Sequence, residues 1–573
     1  MDRFLWQVTN SNQQLVSELQ ASCDLTRPAA LILANRGLTP SDLDDFLHPA
    51  LSRLQDPFLM PGAEAAASRL WQAVREREKI LIHGDYDVDG ITAAVLLSRV
   101  LNENGGETEV FIPHRVDDGY GLTPESVKKT IGGSYSLLVS VDCGINSLEA
   151  VAEAEKSGVD VIITDHHEPG DELPAALAVI NPKLPGTPPA SSGLAGVGVA
   201  FKLSHAFLKY GRQQGLGGFA TDLKEYLDLV ALGTVADIVP LKGENRLLVR
   251  HGLPVLASQR RPGIRALCEY ADLDGKDTFS TIDIGFRLAP RLNAPGRMGK
   301  ADLSLSLLNT TSMRESSRLA GAVDQANKLR QQEEEEVYQQ AKQQLVESGF
   351  SSRNVIVIVH HQEWHPGVLG IVASRLLRDY HRPVIVLSRE DEETYSGSAR
   401  SIPGVNIVQA LRSVSQSLTR WGGHAMAAGL SVPRKNLSRL QNDLTAFISR
   451  TLTADTLIPH LTLDGEIKLE ELEPRFFSER AQMEPFGEDN PEPAFLCRGV
   501  SPEWSVRAGR NHTRGMLASD NGADIKFIAF NRPPETLPPP PWDLAIKPRI
   551  NTFRGNSEPQ VEILDLRPSS RSG

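Results

Sequence analysis

The stretch Lys79–Leu101 joins a short strand, an acidic turn and a helix, and no other stretch constrains the fold as much. Residues 79–83 form a short apolar segment typical of a buried strand, and residues 90–101 repeat apolar side chains at helical spacing. The turn between them carries four potential ligands, His83, Asp85, Asp87 and Asp89. Close carboxylates cannot all stay ionised without a compensating cation. Oxygen ligands with an imidazole favour Mg²⁺ or Mn²⁺, so the turn is a candidate metal site.

Two other interpretations of this turn remain open from the stretch alone. The aspartates could simply cap the following helix. The D-x-D-x-D-G string also resembles the start of a calcium loop, but position 12 counted from Asp85 is Leu96, where a bidentate glutamate is required. The calcium interpretation is therefore poorly supported.

Strand and helix patterns alternate from about residue 75 to residue 240, which predicts a doubly wound, mainly parallel sheet. The predicted strands are residues 79–83, 108–113, 137–142, 160–165 and 176–182. Ligands of such sheets gather beyond the carboxyl ends of the strands. Asp142, His166 and His167 lie at such ends, and Asp237 follows an apolar helix. Asp142 and Asp237 could each cap a turn, and a pair of adjacent histidines is more often at the surface or in the core, but the coincidence of all four predicts a metal site.

Size and composition describe an ordinary globular protein of several domains. The chain has 573 residues, 40% of them hydrophobic, and this length suggests three to five domains. Its net charge of −12 argues against nucleic acid covering the whole surface. The N-terminal segment lacks the apolar core of a signal peptide, and no apolar run approaches membrane-spanning length, so we expect a cytoplasmic protein without membrane contact. The four cysteines are far apart, which indicates neither disulfides nor a zinc site.

The remaining patterns predict a second α/β domain and a β domain. Residues Met313–Glu347 contain one glycine and no proline, so we expect a helix about 50 Å long that links two domains. The predicted fold class is α/β: two α/β domains joined by a long helix, followed by an OB-like β-barrel domain. The predicted divisions are an N-terminal helical cap (1–60), an α/β domain (61–310), the long helix (311–350), the second α/β domain (351–455) and the β domain (456–573).

Several basic residues are candidates for contacts with phosphate. Arg287 and Arg291 lie in a proline-containing loop, where either phosphate binding or local ion pairing would explain them. Ser398, Arg400 and His424 lie in glycine-containing turns that allow close approach of a phosphate, although ordinary tight turns are an alternative.

The ordered motifs HGDYDVDG, VDCG, TDHHE and ADIVP resemble those of the DHH phosphoesterase superfamily. The further motifs PHRVDDGYG, SGSARS and GGHAMAAG resemble the bacterial RecJ family within it, single-strand-specific 5′→3′ DNA exonucleases. The resemblance extends from about residue 35 to the end of the chain. It implies a metal-dependent hydrolase that releases 5′-mononucleotides from single-stranded DNA during repair and recombination.

The resemblance also implies a site with two Mn²⁺ or Mg²⁺ ions. It assigns His83, Asp87 and Asp142 to one ion. It assigns the other ion to Asp89, Asp142, His166 and Asp237, with Asp142 bridging. His167 and Asp85 would then support the ligands or face the substrate, as part of the catalytic set.

The expected substrate contacts follow from the same resemblance. Arg115, Ser398 and Arg400 would engage the 5′-terminal phosphate, and Tyr120 would either stack on a base or be buried. A single-strand-binding protein and a helicase are the expected partners, and we expect a monomer.

Two alternative functions belong to other classes. The first is a DHH phosphodiesterase for short oligonucleotides or cyclic dinucleotides, against which the terminal β domain argues. The second is a non-catalytic replication scaffold, and such relatives tend to lose ligands, none of which is missing here.

Overall fold

The structure is a computed structural model that describes residues 4–113, 121–131, 135–215, 221–453, 455–519, 524–553 and 556–569. It comprises two compact units. Unit 1 contains Met1–Pro49, Glu336–Glu484 and Pro491–Gly573, and unit 2 contains Ala50–Glu335 and Pro485–Asn490. Within the described residues, we find no helix whose length and apolar character would let it cross a bilayer.

The N-terminal segment of unit 1 is mostly helical. It contains β1 (Leu5–Val8), α1 (Gln13–Cys23), α2 (Arg27–Asn35) and α3 (Leu43–Leu47). Asn12 caps α1 by accepting hydrogen bonds from the backbone N–H groups of Gln14 and Leu15. Strand β1 pairs in parallel with β12 (His460–Leu463), so the segment is tied to a much later part of the same unit.

Unit 2 is built on a five-stranded, wholly parallel sheet, which confirms the predicted fold class. Its strands are β2 (Lys79–Gly84), β3 (Glu107–Phe111), β4 (Leu137–Val141), β5 (Asp160–Thr164) and β6 (Ala178–Ile180). Their order is β3-β2-β4-β5-β6.

Helices cover both faces of this sheet. They are α4 (Ala63–Glu76), α5 (Val88–Glu103), α6 (Pro124–Thr130), α7 (Leu148–Lys156), α8 (Gly196–Gln213), α9 (Leu227–Ala236), α10 (Gly243–Ala257), α11 (Pro262–Tyr270), α12 (Thr281–Asp283), α13 (Ala289–Arg297) and α14 (Asp302–Asn309). Because alternate residues of a strand point to opposite faces, Ile80 and Ile82 join the core under α4, α5, α8 and α9, whereas Leu81 joins the core under α6 and α7.

Helix α15 (Met313–Glu347) has 35 residues, or a length of about 52 Å, which confirms the predicted long helix. The division between the two compact units falls within it, after Glu335. Its last turns bury Val337, Tyr338, Ala341 and Leu345 against the second sheet's helices and strands.

The second sheet, in unit 1, is mixed. Its strands are β7 (Val357–His361), β8 (Val384–Arg389), β9 (Thr394–Arg400), β10 (Arg420–His424) and β11 (Ala427–Pro433), in the order β10-β11-β9-β8-β7. Strands β7 and β8 are parallel and the other pairs antiparallel. The associated helices are α16 (Leu369–Tyr380), α17 (Ile407–Ser413) and α18 (Leu437–Thr451).

The C-terminal region is a six-stranded β structure preceded by α19 (Pro474–Gln482). Its strands are β13 (Phe495–Val500), β14 (Pro502–Ala508), β15 (His512–Leu517), β16 (Ile525–Ala529), β17 (Trp542–Phe553) and β18 (Asn556–Pro568), in the order β13-β17-β18-β16-β15-β14. Phe527 and Val561 are paired on β16 and β18 and are fully buried, so one face of this sheet forms the core.

Candidate metal centre

The acidic turn between β2 and α5 is stabilised by a hydrogen bond and a close backbone contact within the turn itself. Asp87 is the N-cap of α5, and its Oδ1 accepts the N–H of Gly90 at 3.1 Å. A side chain at Gly90 would not fit, because its Cβ would lie 2.6 Å from the backbone N and O of Asp85. The turn therefore brings the carboxylates of Asp85, Asp87 and Asp89 close together at the carboxyl end of β2.

Asp89 is fixed by the start of a distant helix. Its two carboxylate oxygens accept the N–H groups of Gly196 and Val197, at 2.6 and 2.8 Å, at the N-terminus of α8. Free amides at a helix N-terminus stabilise an anion. Gly196, the first residue of α8, carries no sequence signal for this role.

Asp142 follows β4 in the left-handed conformation, with φ of 60°. It is buried, and a Cβ on Gly196 would lie 2.5 Å from its Oδ1, so only glycine permits this approach. The His166 Nε2 atom, beyond the end of β5, lies 3.1 Å from Asp142 Oδ1, 3.5 Å from Asp237 Oδ2 and 3.9 Å from Asp89 Oδ2. Four of the predicted ligands thus meet at one edge of the sheet.

Three groups of potential ligand atoms have every member within 4.8 Å of the others, in the part of the chain that the structure describes. Asp142 and His166 each belong to two of them. The groups are Asp85, Asp87 and Asp142; Asp89, His166 and Asp237; and Asp142, His166 and His167.

The electrostatics of these side chains are those expected of a cation site. Burial, reinforced by neighbouring carboxylates, raises the pKa of Asp142 well above its ordinary value, that of Asp89 to about 7 and that of Asp237 to about 8. Burial and the neighbouring His167 lower the pKa of His166 to about 4, so its ring is neutral at pH 7, as a metal ligand requires.

Two atoms at the centre of the cluster are buried without hydrogen bonds. These are Asp142 Oδ1 and His166 Nε2, which lie 3.1 Å apart but not in hydrogen-bonding geometry. Buried polar atoms normally have a partner. The donor set and these two atoms fit a divalent cation such as Mn²⁺ or Mg²⁺.

Asp165, the first residue of the DHH triplet, positions its neighbours. Its carboxylate accepts the N–H groups of Ile145, His166 and His167, and its Oδ1 lies 2.7 Å from His167 Nδ1. Although burial opposes charge on both groups, this pairing lowers the pKa of Asp165 and raises that of His167 to about 9. Asp165 was not among the predicted site residues. An aspartate at the end of a strand has no sequence pattern that would indicate that it orients a neighbouring histidine.

His83 does not join the three groups. It is fully buried, its Nε2 lies 3.2 Å from Ser126 Oγ, its Nδ1 lies 3.8 Å from Cys143 Sγ, and its ring packs on Phe111. Asp85 takes its place in the group with Asp87 and Asp142. The geometry therefore favours Asp85 as a ligand, and the assignment of His83 stays a prediction.

The prediction of a loop around Arg287 and Arg291 is wrong, because Arg287 lies in the π-helical turn Ile284–Leu288 and Arg291 in α13. The two arginines differ in how their charge is used. Arg291 pairs with Asp324 at 3.1 Å and donates to the carbonyl oxygens of Tyr270 and Arg287, which favours the local-pairing alternative. Arg287 donates to the carbonyl oxygens of Ala271 and Asp272 and has no carboxylate partner within the described ranges. Its positive charge is therefore not neutralised locally.

The predicted phosphate contacts of unit 1 lie on strands and not in turns, Ser398 and Arg400 on β9 and His424 on β10. Ser398 and Arg400 lie beside the N-terminus of α16. Arg400 Nη1 donates to Ser398 Oγ at 2.8 Å, and a Cβ on Gly370, in the first turn of α16, would lie 3.0 Å from Arg400 Nη2. His424 is exposed and lies in the same cross-strand row as Arg400, through Ala427. Ser398, Arg400 and a helix N-terminus together suit an anion. Arg115 and Tyr120 lie outside the described residues.

Three family models match the chain. The DHH family N-terminal domain matches residues 79–234, the DHHA1 domain residues 352–450 and the RecJ OB domain residues 463–565. Together with the carboxylate and histidine cluster, these matches define the class as a DHH-family hydrolase with a DHHA1 domain and an OB domain.

Similar proteins narrow that class. The chain is 35% identical over 571 residues to the single-stranded-DNA-specific exonuclease RecJ of Bacillus subtilis, covering 98% of this chain and 71% of the relative. It is 36% identical to that of Escherichia coli, covering 89% and 91%. The crystal structure of RecJ in complex with Mn²⁺ from Thermus thermophilus matches with a TM-score of 0.83 and 32% identity, covering 99% of this chain and 80% of that chain. The chain belongs to the RecJ family of single-stranded-DNA-specific exonucleases.

Proposed function

We propose that this chain hydrolyses phosphodiester bonds of single-stranded DNA as an exonuclease, with two divalent cations, Mn²⁺ or Mg²⁺. The observation that carries the proposal is the convergence of Asp89, Asp142, His166 and Asp237 around atoms that lack hydrogen bonds. Membership of the RecJ family supplies the substrate class.

The ligands divide between the two cations. Asp85 and Asp87 would hold one, Asp89, His166 and Asp237 the other, and Asp142 would be shared, since it belongs to groups on both sides. When bound, such cations activate a water molecule and neutralise charge on the phosphate and the leaving oxygen. The protein holds Asp89 through the amides of α8 and Asp142 through its left-handed backbone, so both carboxylates are oriented before a cation binds.

His167 faces the substrate in this proposal. Asp165 fixes its Nδ1 and raises its pKa to about 9, so its Nε2 carries a proton at neutral pH. A protonated Nε2 can donate a hydrogen bond to a phosphate oxygen as negative charge develops there.

The direction and the product are proposed from the second phosphate site and from the family. We propose that Ser398 and Arg400 bind the 5′-terminal phosphate. The resemblance to the RecJ family suggests 5′→3′ digestion to 5′-mononucleotides, and Arg115 stays a predicted phosphate contact. In this proposal residues 61–310 perform hydrolysis, residues 351–455 bind the 5′ end and residues 456–573 bind the strand, while residues 1–60 and 311–350 are the helical cap and the linking helix.

The cellular context is part of the same proposal. A single-strand exonuclease needs single strands, which a helicase produces and a single-strand-binding protein covers, so both are expected partners in repair and recombination. Because the proposed substrate is cellular DNA, we propose that the protein is cytoplasmic. We also propose that it acts as a monomer.

The test uses Asp142→Asn, because asparagine tolerates the left-handed backbone of this position while the variant removes the negative charge. Wild-type protein should degrade 5′-labelled single-stranded DNA with Mn²⁺ and leave duplex DNA intact. The variant should lose turnover by at least about a thousandfold, since Asp142 is shared by both cations. Circular dichroism checks that it remains folded, and wild-type turnover in a folded variant would refute the shared role.

The same assay separates the alternative functions. Faster hydrolysis of a dinucleotide than of a long single strand would favour the short-oligonucleotide phosphodiesterase. Binding of single strands without cleavage in Mn²⁺ would favour the scaffold.

A further inference from the structure

Asp237 is placed differently from the other proposed ligands. It follows a helix, α9, as its C-cap, and not a strand of the parallel sheet. Its side chain is 26% exposed, against 1% for Asp89 and 2% for Asp142. The backbone of the turn that follows it, residues 238–241, therefore has a large share in fixing the position of this carboxylate.

That turn is strained and has few free torsions. Ile238 has a φ of 59° and, of the nine non-glycine residues with positive φ in the described part of the chain, it alone is β-branched. Such a residue costs about 1–3 kcal/mol and persists only where surrounding contacts impose its conformation. Two residues further on, the ring of Pro240 restricts φ as well. Because so few torsions can adjust, a displacement of Leu241 would also displace Asp237.

A loop from a much later part of the chain fixes the end of this turn. Residues Pro485–Asn490 belong to unit 2, although the rest of that unit ends at Glu335, and we call them the anchor loop. The N–H of Leu241 donates to the Glu488 carbonyl oxygen at 2.9 Å. The buried side chain of Leu241 packs on Gly487, where a Cβ would lie 2.6 Å from Leu241 Cδ1 and 3.3 Å from its Cγ. A larger residue than glycine would therefore push Leu241 away.

The anchor loop is held by its own hydrogen bonds and by a second contact. The N–H of Gly487 donates to the Asn490 carbonyl oxygen at 2.9 Å, and the N–H of Asn490 donates to that of Gly487 at 3.1 Å. The buried side chain of Asn490 donates to the Pro485 carbonyl oxygen at 2.6 Å. Thr281 Oγ1, in α12, donates to the Phe486 carbonyl oxygen, also at 2.6 Å. The loop is therefore a rigid support for the turn.

The charged contact of the same loop contributes little by comparison. Asp489 pairs with Lys242 at 3.0 Å, but both side chains are exposed. Exposed ion pairs contribute about 0–1 kcal/mol. The contact with the turn thus depends on a backbone carbonyl group and on the absence of a side chain at Gly487, and not on charge.

We propose that the anchor loop positions Asp237: by holding Leu241 it imposes the strained turn and keeps the carboxylate among the other ligands before a cation binds. Gly487 is then a positioning residue that acts through Leu241. This inference rests on the proposed exonuclease function and deepens it. Groups that orient a metal ligand affect metal affinity, so loss of the contact should weaken Mn²⁺ binding, and excess Mn²⁺ should compensate.

The test is a double-mutant cycle of Gly487→Ala and Leu241→Ala, with Mn²⁺ affinity measured by titration calorimetry without DNA. The added methyl group should displace Leu241, so Gly487→Ala should bind Mn²⁺ about tenfold more weakly than the wild type. In the Leu241→Ala background the atoms that this methyl group would meet are gone, so the same substitution should change the affinity less than about twofold. Asp489→Asn is the control within the loop: asparagine tolerates the φ of 57°, only the exposed ion pair is lost, and Mn²⁺ affinity should equal that of the wild type.

Two further readouts separate positioning from a general loss of stability. In EDTA, hydrogen exchange of residues 238–242 should be faster in Gly487→Ala, while peptides from β2 and β4 should exchange as in the wild type. In the exonuclease assay, Gly487→Ala should have a lower kcat at low Mn²⁺ that high Mn²⁺ restores, with KM for single strands unchanged. A protein that was merely destabilised would not show this pattern.

The outcomes distinguish this inference from the proposed function. If Gly487→Ala does not fold, Thr281→Val loosens the same loop by one hydrogen bond and should lower Mn²⁺ affinity about two- to fivefold. Wild-type Mn²⁺ affinity in the folded variant, or an equal loss from Gly487→Ala in both backgrounds of the cycle, would overturn the positioning role alone. If the wild type neither binds Mn²⁺ nor degrades single strands, the proposed function fails, and the role of the loop fails with it.

Discussion

Replacement of Asp237 by asparagine should stabilise the metal-free protein, although it removes a proposed ligand. Burial, with the charges of Asp89 and Asp87, raises the pKa of Asp237 to about 8 from 3.8. Above pH 3.8 the unfolded chain releases this proton while the folded protein retains it, so stability is lost as the pH rises towards the folded pKa. Each pKa unit corresponds to about 1.4 kcal/mol, so the loss is about 2 kcal/mol at pH 5 and about 4 kcal/mol at pH 7.

Asparagine carries no such penalty, so the advantage of Asp237→Asn should grow with pH. In EDTA, the variant should unfold at higher urea than the wild type, and the difference in unfolding free energy should increase by about 2 kcal/mol between pH 5 and pH 7. Hydrogen exchange of peptides from β2, β4 and β5 reports on unit 2 alone, which avoids treating the whole chain as one cooperative system.

Mn²⁺ should reduce this advantage of the variant. A cation keeps the wild-type carboxylate ionised and stabilises the folded state by about 2.7 kcal/mol when its concentration is a hundredfold above Kd. The variant lacks a ligand and should gain less. The exposed Asp277 provides a matched control. Asp277→Asn should show the same unfolding free energy as the wild type at each pH, in EDTA and in Mn²⁺. If the unfolding free energies of the wild type and Asp237→Asn changed equally with pH in EDTA, the raised pKa of Asp237 would be refuted as the cause.

Three further predictions concern other residues of the site. Arg400→Ala should weaken use of 5′-phosphorylated strands at least about tenfold while leaving 5′-hydroxyl strands nearly unchanged, because one charged contact to phosphate is lost; equal losses on both ends would contradict a phosphate-specific role. Asp85→Asn should lower Mn²⁺ affinity in titration calorimetry about tenfold more than His83→Gln, and the opposite order would restore His83 as the ligand. Asp165→Asn should lower the pKa of His167 towards its ordinary value, since the hydrogen bond that opposes burial is weakened, and NMR titration should show it; an unshifted His167 would exclude Asp165 as the cause.

Sequence patterns predicted the elements whose signal lies within a few neighbouring residues. The five strands of the first sheet follow from short apolar segments, and the helix Met313–Glu347 follows from a stretch with one glycine and no proline. The meeting of Asp142 and His166 was also predictable, because parallel strands place their carboxyl ends along one edge. Asp237 ends helix α9 instead, and only its acidic character pointed to the same site.

The contacts that position these side chains were not predictable in the same way. Asp89 is held by two backbone amides from a helix more than a hundred residues later, and a backbone amide has no sequence signature. Arg291 pairs with Asp324 through the packing of two helices, so phosphate binding and ion pairing could not be told apart from the loop sequence. The position of His83 depends on Ser126 and Cys143, both distant in the chain.

Unit 2 contains a second cluster of buried charged side chains, and there the charged atoms are paired and hydrogen-bonded. The unpaired atoms at the metal centre therefore have no counterpart in that cluster. Lys202 and Glu244 are almost fully buried, and Lys202 Nζ donates to Glu244 Oε1 at 2.9 Å and to the Gln55 carbonyl oxygen at 2.6 Å. Glu244 also accepts from Ser191 Oγ, so this pair is satisfied by the chain itself. At the metal centre the same unit instead groups carboxylates and leaves Asp142 Oδ1 without a hydrogen bond. Since burial of like charges opposes folding, the arrangement is explained by a cation that binds these carboxylates and compensates their charge.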